Sequence, residues 1–348
     1  MSELNQYHYD LPKELIAQFP VKERADARLL VVNRATNRMD HWHVRDLPEI
    51  LSAHDCLVLN NSRVLPARLV GFRTSTQGRW QGLFLEASPD GLWKMLCKTR
   101  GRLAAGETVQ VVDRDARPSF QLLMGNKLED GIWVARPTVE EDAMTLLEAS
   151  GRVPLPPYIR GGEMVDSDVS AYQTVYADQP GSVAAPTAGL HFTRPLLDKL
   201  SLANVSSCQV TLHVGRGTFR PLTAEHLEDH RMHSEWGSIE AGTVDQLQNA
   251  RSLGGRAIAV GTTSLRVLET AAMSGTLSPW KGHTDLFVRP PFQFHGVDAL
   301  LTNFHLPRTS LLVLVAAFAG KDLIRRAYDE AIAEKYRFYS YGDTMLIL

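Results

Sequence analysis

The sequence predicts an α/β protein whose main domain is discontinuous and carries an inserted small antiparallel β-barrel. Three observations predict it. Short runs of β-branched, aromatic and aliphatic residues recur closely between Arg68 and Ala135, punctuated by Ser88-Pro89-Asp90-Gly91, Gly101, Gly125-Asn126 and Asp130-Gly131. Regular short strands with such turns read as a barrel or sandwich. Beyond the rigid connector Pro154-Leu155-Pro156-Pro157-Tyr158, strands alternate with helical patterns, as in α/β architecture. Strand-like segments at Leu29–Val32 and Cys56–Leu59 precede the barrel and can join the later sheet. The α/β domain is therefore expected over residues 1–67 and 138–348, with the barrel at 68–137.

The elements follow in order. Barrel strands are expected at Arg68–Thr74, Trp80–Ala87, Leu92–Thr99, Thr108–Asp113, Phe120–Met124 and Ile132–Ala135. Thr138 and Glu141 have capping-box spacing before the apolar stripe Ala143, Leu146 and Leu147, and Gly151 fits a helix stop. Val205–Val214 reads as a strand. Thr243 and Gln246 could box a helix running to Leu253. Ala257–Val260 is a short buried strand, and Gly261-Thr262-Thr263-Ser264 turns into a helix over Leu265–Met273. Leu286–Val288 and Ala299–Leu301 are strand candidates. Helices are expected over Thr309–Ala319 and Asp322–Phe338, the second with Ile324, Tyr328, Ile332 and Tyr336 on one face.

The 348 residues, 44% hydrophobic and 22% charged, are ordinary globular composition, which excludes wholesale disorder. Cys56, Cys97 and Cys208 form no C-x-x-C pair, so a disulfide framework is not expected and a reducing cytoplasm is. The start lacks a signal-peptide pattern. The longest apolar run, Leu311–Ala319, has nine residues. A bilayer span needs about 20, so no membrane association is expected. The net charge of −2 argues against an all-over basic nucleic-acid clamp but conceals segregation. Residues 61–120 carry ten basic and five acidic side chains, and 121–180 four basic and ten acidic. The barrel segment is thus locally basic.

Several segments could carry chemistry. Gly181–Phe192 (GSVAAPTAGLHF) combines small residues, which let a ligand approach the backbone, with Thr187 and His191. A tight packing loop is the alternative. Thr211–Phe219 ends in a Gly-Arg-Gly turn where Arg216 and backbone amides could hold an anion, though no dinucleotide fingerprint is present. His226, His230 and His233 lie at i, i+4 and i+7 with Glu235 nearby. On a helix they would share a face suited to a metal, but without H-E-x-x-H, hydrogen-bonding or acid–base roles are favoured over zinc. Thr262, Thr263 and Ser264 follow a strand where open α/β sheets bind ligands, and simple helix capping is the alternative. Asn303 and His305 occupy a similar strand-to-helix junction. Arg63 and Arg68 are candidate phosphate contacts, or else a solvated basic face.

Longer strings carry a resemblance. YDLPKELIAQFP (Tyr9–Pro20), RADARLL (Arg24–Leu30), LVLNNSRVLPARLVG (Leu57–Gly71), LPPYI (Leu155–Ile159) and YQTVYA (Tyr172–Ala177) come first. GSVAAPTAGLHF, TLHVGRGTF, EDHRMHSE, VGTTSLRVLE, TNFHLP and YRFYSYGD (Tyr336–Asp343) follow in order. Together they resemble the S-adenosylmethionine:tRNA ribosyltransferase-isomerase family of queuosine biosynthesis over nearly the whole chain. Pro290-Pro291 in place of Pro-Gly, and Thr309-Ser310 in place of Ser-Thr, are minor departures.

The resemblance implies an α/β domain with an inserted barrel. It implies transfer and isomerisation of the ribosyl part of S-adenosylmethionine onto 7-aminomethyl-7-deazaguanine (preQ1) at the tRNA wobble position. Epoxyqueuosine forms, and adenine and methionine leave. S-adenosylmethionine is then a co-substrate; no true cofactor and no metal are expected. His191, His213, His233 and Glu235 are expected to supply acid and base. Thr187, Gly189, Thr262 and Thr263 are expected to line the S-adenosylmethionine site. Arg63, Arg68, Arg216 and the barrel's Lys/Arg are expected to hold the anticodon stem-loop. No obligate protein partner is expected, and a monomer suffices. Three rivals make different predictions: a methyltransferase would give methylated RNA without adenine, a His226/His230/His233 hydrolase would lose activity on chelation, and an RNA-binding module would catalyse nothing.

Overall fold

The structure is a computed structural model that describes residues 3–215, 227–230 and 232–348. It contains two compact units: Met1–Arg63 with Tyr158–Gly161 and Ala171–Leu348, and Val64–Pro157 with Gly162–Ser170. Strands β1 (Arg28–Val32), β2 (Met39–His43), β3 (Cys56–Asn60) and β4 (Ser62–Val64) come first. The barrel strands are β5 (Arg68–Arg73), β6 (Arg79–Ala87), β7 (Trp93–Thr99), β8 (Thr108–Val112), β9 (Pro118–Lys127) and β10 (Ile132–Pro137). The remainder are β11 (Gln179–Ser182), β12 (Ser206–Leu212), β13 (Glu235–Ile239), β14 (Ala257–Val260), β15 (Trp280–Thr284), β16 (Ala299–Asn303) and β17 (Thr344–Ile347). The α-helices are α1 (Leu47–Ile50), α2 (Ala143–Ser150), α3 (Asp168–Ala171), α4 (Arg194–Leu202), α5 (Ala241–Ser252), α6 (Thr262–Ala271), α7 (Ser310–Ala319) and α8 (Lys321–Ala333). None is long and apolar enough to cross a membrane among the described residues.

The larger unit is built on a nine-stranded sheet in the order β15-β13-β12-β3-β14-β16-β17-β1-β2. Strands β12, β3, β14 and β16 run parallel, and antiparallel strands flank them. The pleat sends alternate residues to opposite faces. Cys56 and Val58 of β3 join one core with Ala257, Ala259, Leu265, Val313 and Ile324. Leu57 and Leu59 join another with Ile258, Val260, Ala188, Phe192 and Leu196. Both faces are covered, so these strands read as continuous apolar runs.

The smaller unit contains a closed six-stranded barrel in the order β10-β7-β6-β5-β8-β9. Its interior packs Trp93 edge-on between Phe84 and Phe120, with centroids 5.0 and 5.8 Å away. Gly71 permits the closest strand approach, since a Cβ there would lie 2.0 Å from the Gln110 carbonyl oxygen. The α/β class with its antiparallel barrel is the one the sequence predicts.

Local expectations fail where side chains find other partners. Asp142, not Thr138, caps α2: its carboxylate accepts from Met144 and Thr145 backbone N–H at 2.9 and 3.0 Å. The Thr243–Gln246 capping box does not form. α5 begins earlier, and those side chains donate to the Gln209 and Ser207 carbonyls, tying the helix to β12. Leu286–Val288 is not a strand; the edge strand is β15, and Thr284 Oγ1 accepts from Leu286 N–H to turn the chain. α8 stops at Ala333 because Lys335 takes a left-handed conformation (φ 57°), although Tyr336 remains buried.

Candidate active site

The carboxyl ends of β12, β3, β14 and β16 share one edge of the sheet, the position where open α/β sheets bind ligands. Most of the predicted residues gather there. Asn60 ends β3; its Oδ1 accepts from Leu212 and Ser62 N–H at 3.1 Å and its Nδ2 donates to the Leu212 carbonyl at 3.1 Å. Asn61 accepts from the Thr211 hydroxyl at 2.8 Å and donates to Gln209 at 3.2 Å. These buried amides fasten β3 to β12.

One group of side chains surrounds the 3-10 turn Thr187–His191. Thr187 donates its hydroxyl to Asn303 Oδ1 at 2.9 Å, and Asn303 Nδ2 lies 3.2 Å from His191 Nε2. His191 is buried, and burial, reinforced by the Arg337 and Arg24 charges, lowers its pKa to about 3. Gly189 is required by close approach: a Cβ there would lie 2.0 Å from the Tyr176 hydroxyl and 2.9 Å from Thr174 Cγ2. At Gly261, where φ is +90°, a Cβ would meet Thr263 Oγ1 and Ala188 Cβ at 3.5 and 3.6 Å. The start of α6, which carries Thr262 and Thr263, therefore adjoins this turn at Ala188. Ser264 instead donates to the Val260 carbonyl at 3.0 Å.

Three buried hydroxyls in this group, Thr174 Oγ1, Tyr176 Oη and Thr263 Oγ1, have no hydrogen-bond partner among the described residues. Each such group costs about 1–3 kcal/mol when left unsatisfied. A polar ligand reaching them would remove that cost.

The second group lies at the end of β12. The His213 ring stacks on Trp236, with centroids 5.2 Å apart and planes 18° apart. On its other side a Cβ at Gly181 would come within 3.0 Å of the imidazole. Burial lowers the His213 pKa, and its buried Nδ1 has no partner among the described residues. The loop from Gly181 is fixed by Ser182, which donates to the Ala184 carbonyl at 2.6 Å and accepts from Val214 N–H at 3.1 Å. This loop runs from His213 to His191 and links the two groups. Glu235 is buried in an ion pair with Arg266 of α6, and its other oxygen accepts from Gly215 N–H at 2.8 Å. A solvated general base would need freer oxygens; this carboxylate also anchors the end of β12.

The helical face proposed for His226, His230 and His233 is not present among the described residues. His226 lies outside the described residues, residues 227–229 make a single 3-10 turn, and neither His230 nor residues 232–234 before β13 are helical. His230 packs edge-on against Phe287, 5.3 Å away. No group of three His, Cys, Asp or Glu is placed to hold a metal among the described residues. His233 is partly exposed just before Glu235.

Arg63 sits in β4 of the larger unit, and Arg216 lies outside the described residues. Arg68 belongs to the barrel unit, where it bonds the Gly162 carbonyl and pairs with Glu163 at 2.8 Å. Sequence reasoning missed Tyr176, Ser182, Trp236 and Arg266. Arg266 was legible in principle, four residues after Thr262 and hence on the same helix face.

Comparison with known proteins identifies the family of the chain. The model of the family described as queuosine biosynthesis protein matches residues 4–347. A Thermotoga maritima protein named S-adenosylmethionine:tRNA ribosyltransferase-isomerase is 46% identical, covering 99% of this chain and 100% of its own. One from Symbiobacterium thermophilum with the same name is 47% identical, covering 99% of each. The crystal structure of a Thermotoga maritima S-adenosylmethionine tRNA ribosyltransferase superposes with a TM-score of 0.55 at 35% identity, over 99% of this chain and 100% of that one. The chain therefore belongs to the queuosine biosynthesis protein family, that of the S-adenosylmethionine:tRNA ribosyltransferase-isomerases, and is an enzyme of the transferase class.

Proposed function

We propose that this enzyme transfers the ribosyl part of S-adenosylmethionine to the aminomethyl group of preQ1 in tRNA and isomerises it to the epoxycyclopentane of epoxyqueuosine. Adenine and methionine are the other products. The sulfonium acidifies the adjacent ribose carbon, a base removes its proton, and the resulting carbanion expels adenine. Methionine then leaves as a neutral thioether. Such chemistry needs a base, a donor for adenine and a pocket tolerant of a sulfonium. No glycine-rich methyltransferase motif is needed.

The observation that carries this reading is the convergence at the sheet edge of the buried His191, the half-buried His213 and three hydroxyls without partners among the described residues. His213 or His233 supplies the base, oriented from the Glu235 segment, and His191 assists adenine departure. Thr187, Gly189, Thr262 and Thr263 line the S-adenosylmethionine site. The barrel's exposed arginines and lysines, with Arg63 and Arg216, contact the anticodon stem-loop, and Arg68 joins them by exchanging Glu163 for a phosphate. S-adenosylmethionine is a co-substrate and no separate cofactor is required. Incubation with S-adenosylmethionine and preQ1-bearing tRNA, followed by mass analysis, tests the reading. Equimolar free adenine and a nucleoside carrying the added ribosyl-derived ring are expected; a methylated nucleoside without adenine overturns it.

A further inference from the structure

We propose that Asn303 is a positioning residue that locks His191 in the neutral Nδ1–H tautomer, so that His191 acts as a hydrogen-bond donor to the departing adenine and not as a base. This rests on the reaction proposed above only for the identity of the acceptor; the tautomer itself rests on geometry. Asn303 Nδ2 faces three groups: the Tyr339 carbonyl at 3.1 Å, the Asp343 carbonyl at 3.4 Å and His191 Nε2 at 3.2 Å. An amide turned the other way would press its oxygen against two carbonyl oxygens. The nitrogen therefore points at His191, and its oxygen accepts the Thr187 hydroxyl. An amide N–H facing Nε2 requires a lone pair there, so the single proton of the neutral ring sits on Nδ1.

The surrounding charges favour the same state. Arg337 and Arg24 both oppose protonation of His191. Arg337 is itself oriented by Asp343, which accepts from its backbone N–H at 2.8 Å. Asn303 is in turn held by β16, whose register places it opposite Thr344 of β17. With Nε2 engaged, Nδ1 makes no hydrogen bond among the described residues, leaving its N–H for a ligand.

The chemistry balances with this assignment. When the ribose–adenine C–N bond breaks, its electron pair leaves with adenine. A neutral imidazole N–H stabilises that charge without surrendering its proton. The proton that adenine finally takes equals the one removed from the ribose carbon by the separate base.

Histidine-selective 15N labelling of the full chain tests this directly. The His191 resonances are assigned by their loss in His191→Gln. Long-range 1H–15N correlation should show a protonated Nδ1 and an unprotonated Nε2, unchanged from about pH 8 to about pH 5. Asn303→Asp should place a second proton on His191 near neutral pH. It should lower kcat for adenine release by roughly 100-fold while KM for S-adenosylmethionine moves less than about threefold. An Nε2–H tautomer or a charged His191 near pH 6 in the unmodified protein overturns the proposal, as does undiminished kcat in Asn303→Asp. The tautomer is read without substrate and without any variant having to fold at position 303. A failure of the proposed reaction is therefore separate: it shows in the product analysis and not in this spectrum.

Discussion

At the sheet edge of the α/β unit, Asn60, Asn61, His191, Glu235 and Asn303 are all buried, each bonded to named neighbours. On the barrel, Arg79, Lys98, Arg100 and Arg102 are exposed and have no ion pair among the described residues. Three of them lie together: Gln81 pairs in register with Lys98 and Trp80 with Thr99, so Arg79 and Arg100 extend the same strand ends. The same polar chemistry is therefore arranged in two different ways. Buried groups are few, neutral or paired, and geometrically fixed, as a reaction with developing charge requires. Exposed charges are individually weak, screened by salt, and additive over a surface, as reversible polyanion binding requires.

The sharpest test of the buried side is the Glu235–Arg266 pair. Arg266→Met leaves a carboxylate buried without its partner and should cost about 3–5 kcal/mol. The double variant Glu235→Leu with Arg266→Met should recover much of that stability, because replacing both ions removes the desolvation penalty. Activity should not return, since Glu235 also holds Gly215 at the end of β12. Urea unfolding read by fluorescence measures both. A single Arg266→Met that unfolds within about 1 kcal/mol of the parent would place the pair with ordinary surface bridges.

Acid is the next largest lever. Burial lowers both His191 and His305 to about 3 in the folded chain. The unfolded chain binds these protons below about pH 6.5, so stability should fall as pH drops from there towards 3. Each histidine contributes about 1.4 kcal/mol per pH unit, or roughly 2 kcal/mol by pH 5. His305→Gln should remove about half of this slope while retaining a bond to Thr302, which His305 Nε2 meets at 2.8 Å. Urea midpoints between pH 7.5 and pH 5 give the slope. A flat profile would show that these rings protonate in the native state.

Paired glycine substitutions separate the two units more finely. Gly189→Ala drives a Cβ into the Tyr176 hydroxyl and Gly71→Ala drives one into the Gln110 carbonyl, each 2.0 Å away. Overpacking of this kind costs about 1–3 kcal/mol. Gly189→Ala should weaken S-adenosylmethionine binding by calorimetry and spare tRNA affinity. Gly71→Ala should do the reverse. Equal losses of both ligands in both variants would deny the division of labour.

The fold was legible because its determinants are local and repeated. β3 and β14 are apolar on both faces, which marks central parallel strands, and the barrel's turns mark each of its strands. Capping was less legible, because Thr138, Thr243 and Gln246 have the right spacing but find carbonyls on other strands. The candidate site was legible only as strings: the turn that carries Thr187 and Gly189 adjoins Gly261, where α6 with Thr262 and Thr263 begins. Their connection through Asn303, and the burial that neutralises His191, depend on contacts over a hundred residues apart in sequence. The His226–His233 spacing misled because periodicity describes a helix only if the chain is helical, and the described residues of that segment hold only a short 3-10 turn at Leu227–Asp229.

The smallest effects belong to the barrel, and they discriminate best through salt. Arg79→Ala, Lys98→Ala, Arg100→Ala and Arg102→Ala should each leave stability within about 0.5 kcal/mol, since none has a fixed partner to lose. Each that touches a phosphate should weaken tRNA anticodon stem-loop binding and flatten the slope of log affinity against log salt by about 0.7–0.9. Arg68→Ala should differ in degree: it loses the Gly162 carbonyl and Glu163, so stability falls, and because its phosphate contact costs the Glu163 pair the salt slope flattens by less. Filter binding across a salt series, beside urea unfolding, places every variant on both axes. If the four surface residues leave the slope untouched while Arg68→Ala flattens it, the exposed end of β6 and β7 is not the polyanion surface. The contacts would then lie with arginines that are structurally engaged, and the contrast between a fixed buried site and a diffuse charged one would no longer describe how the two units share the work.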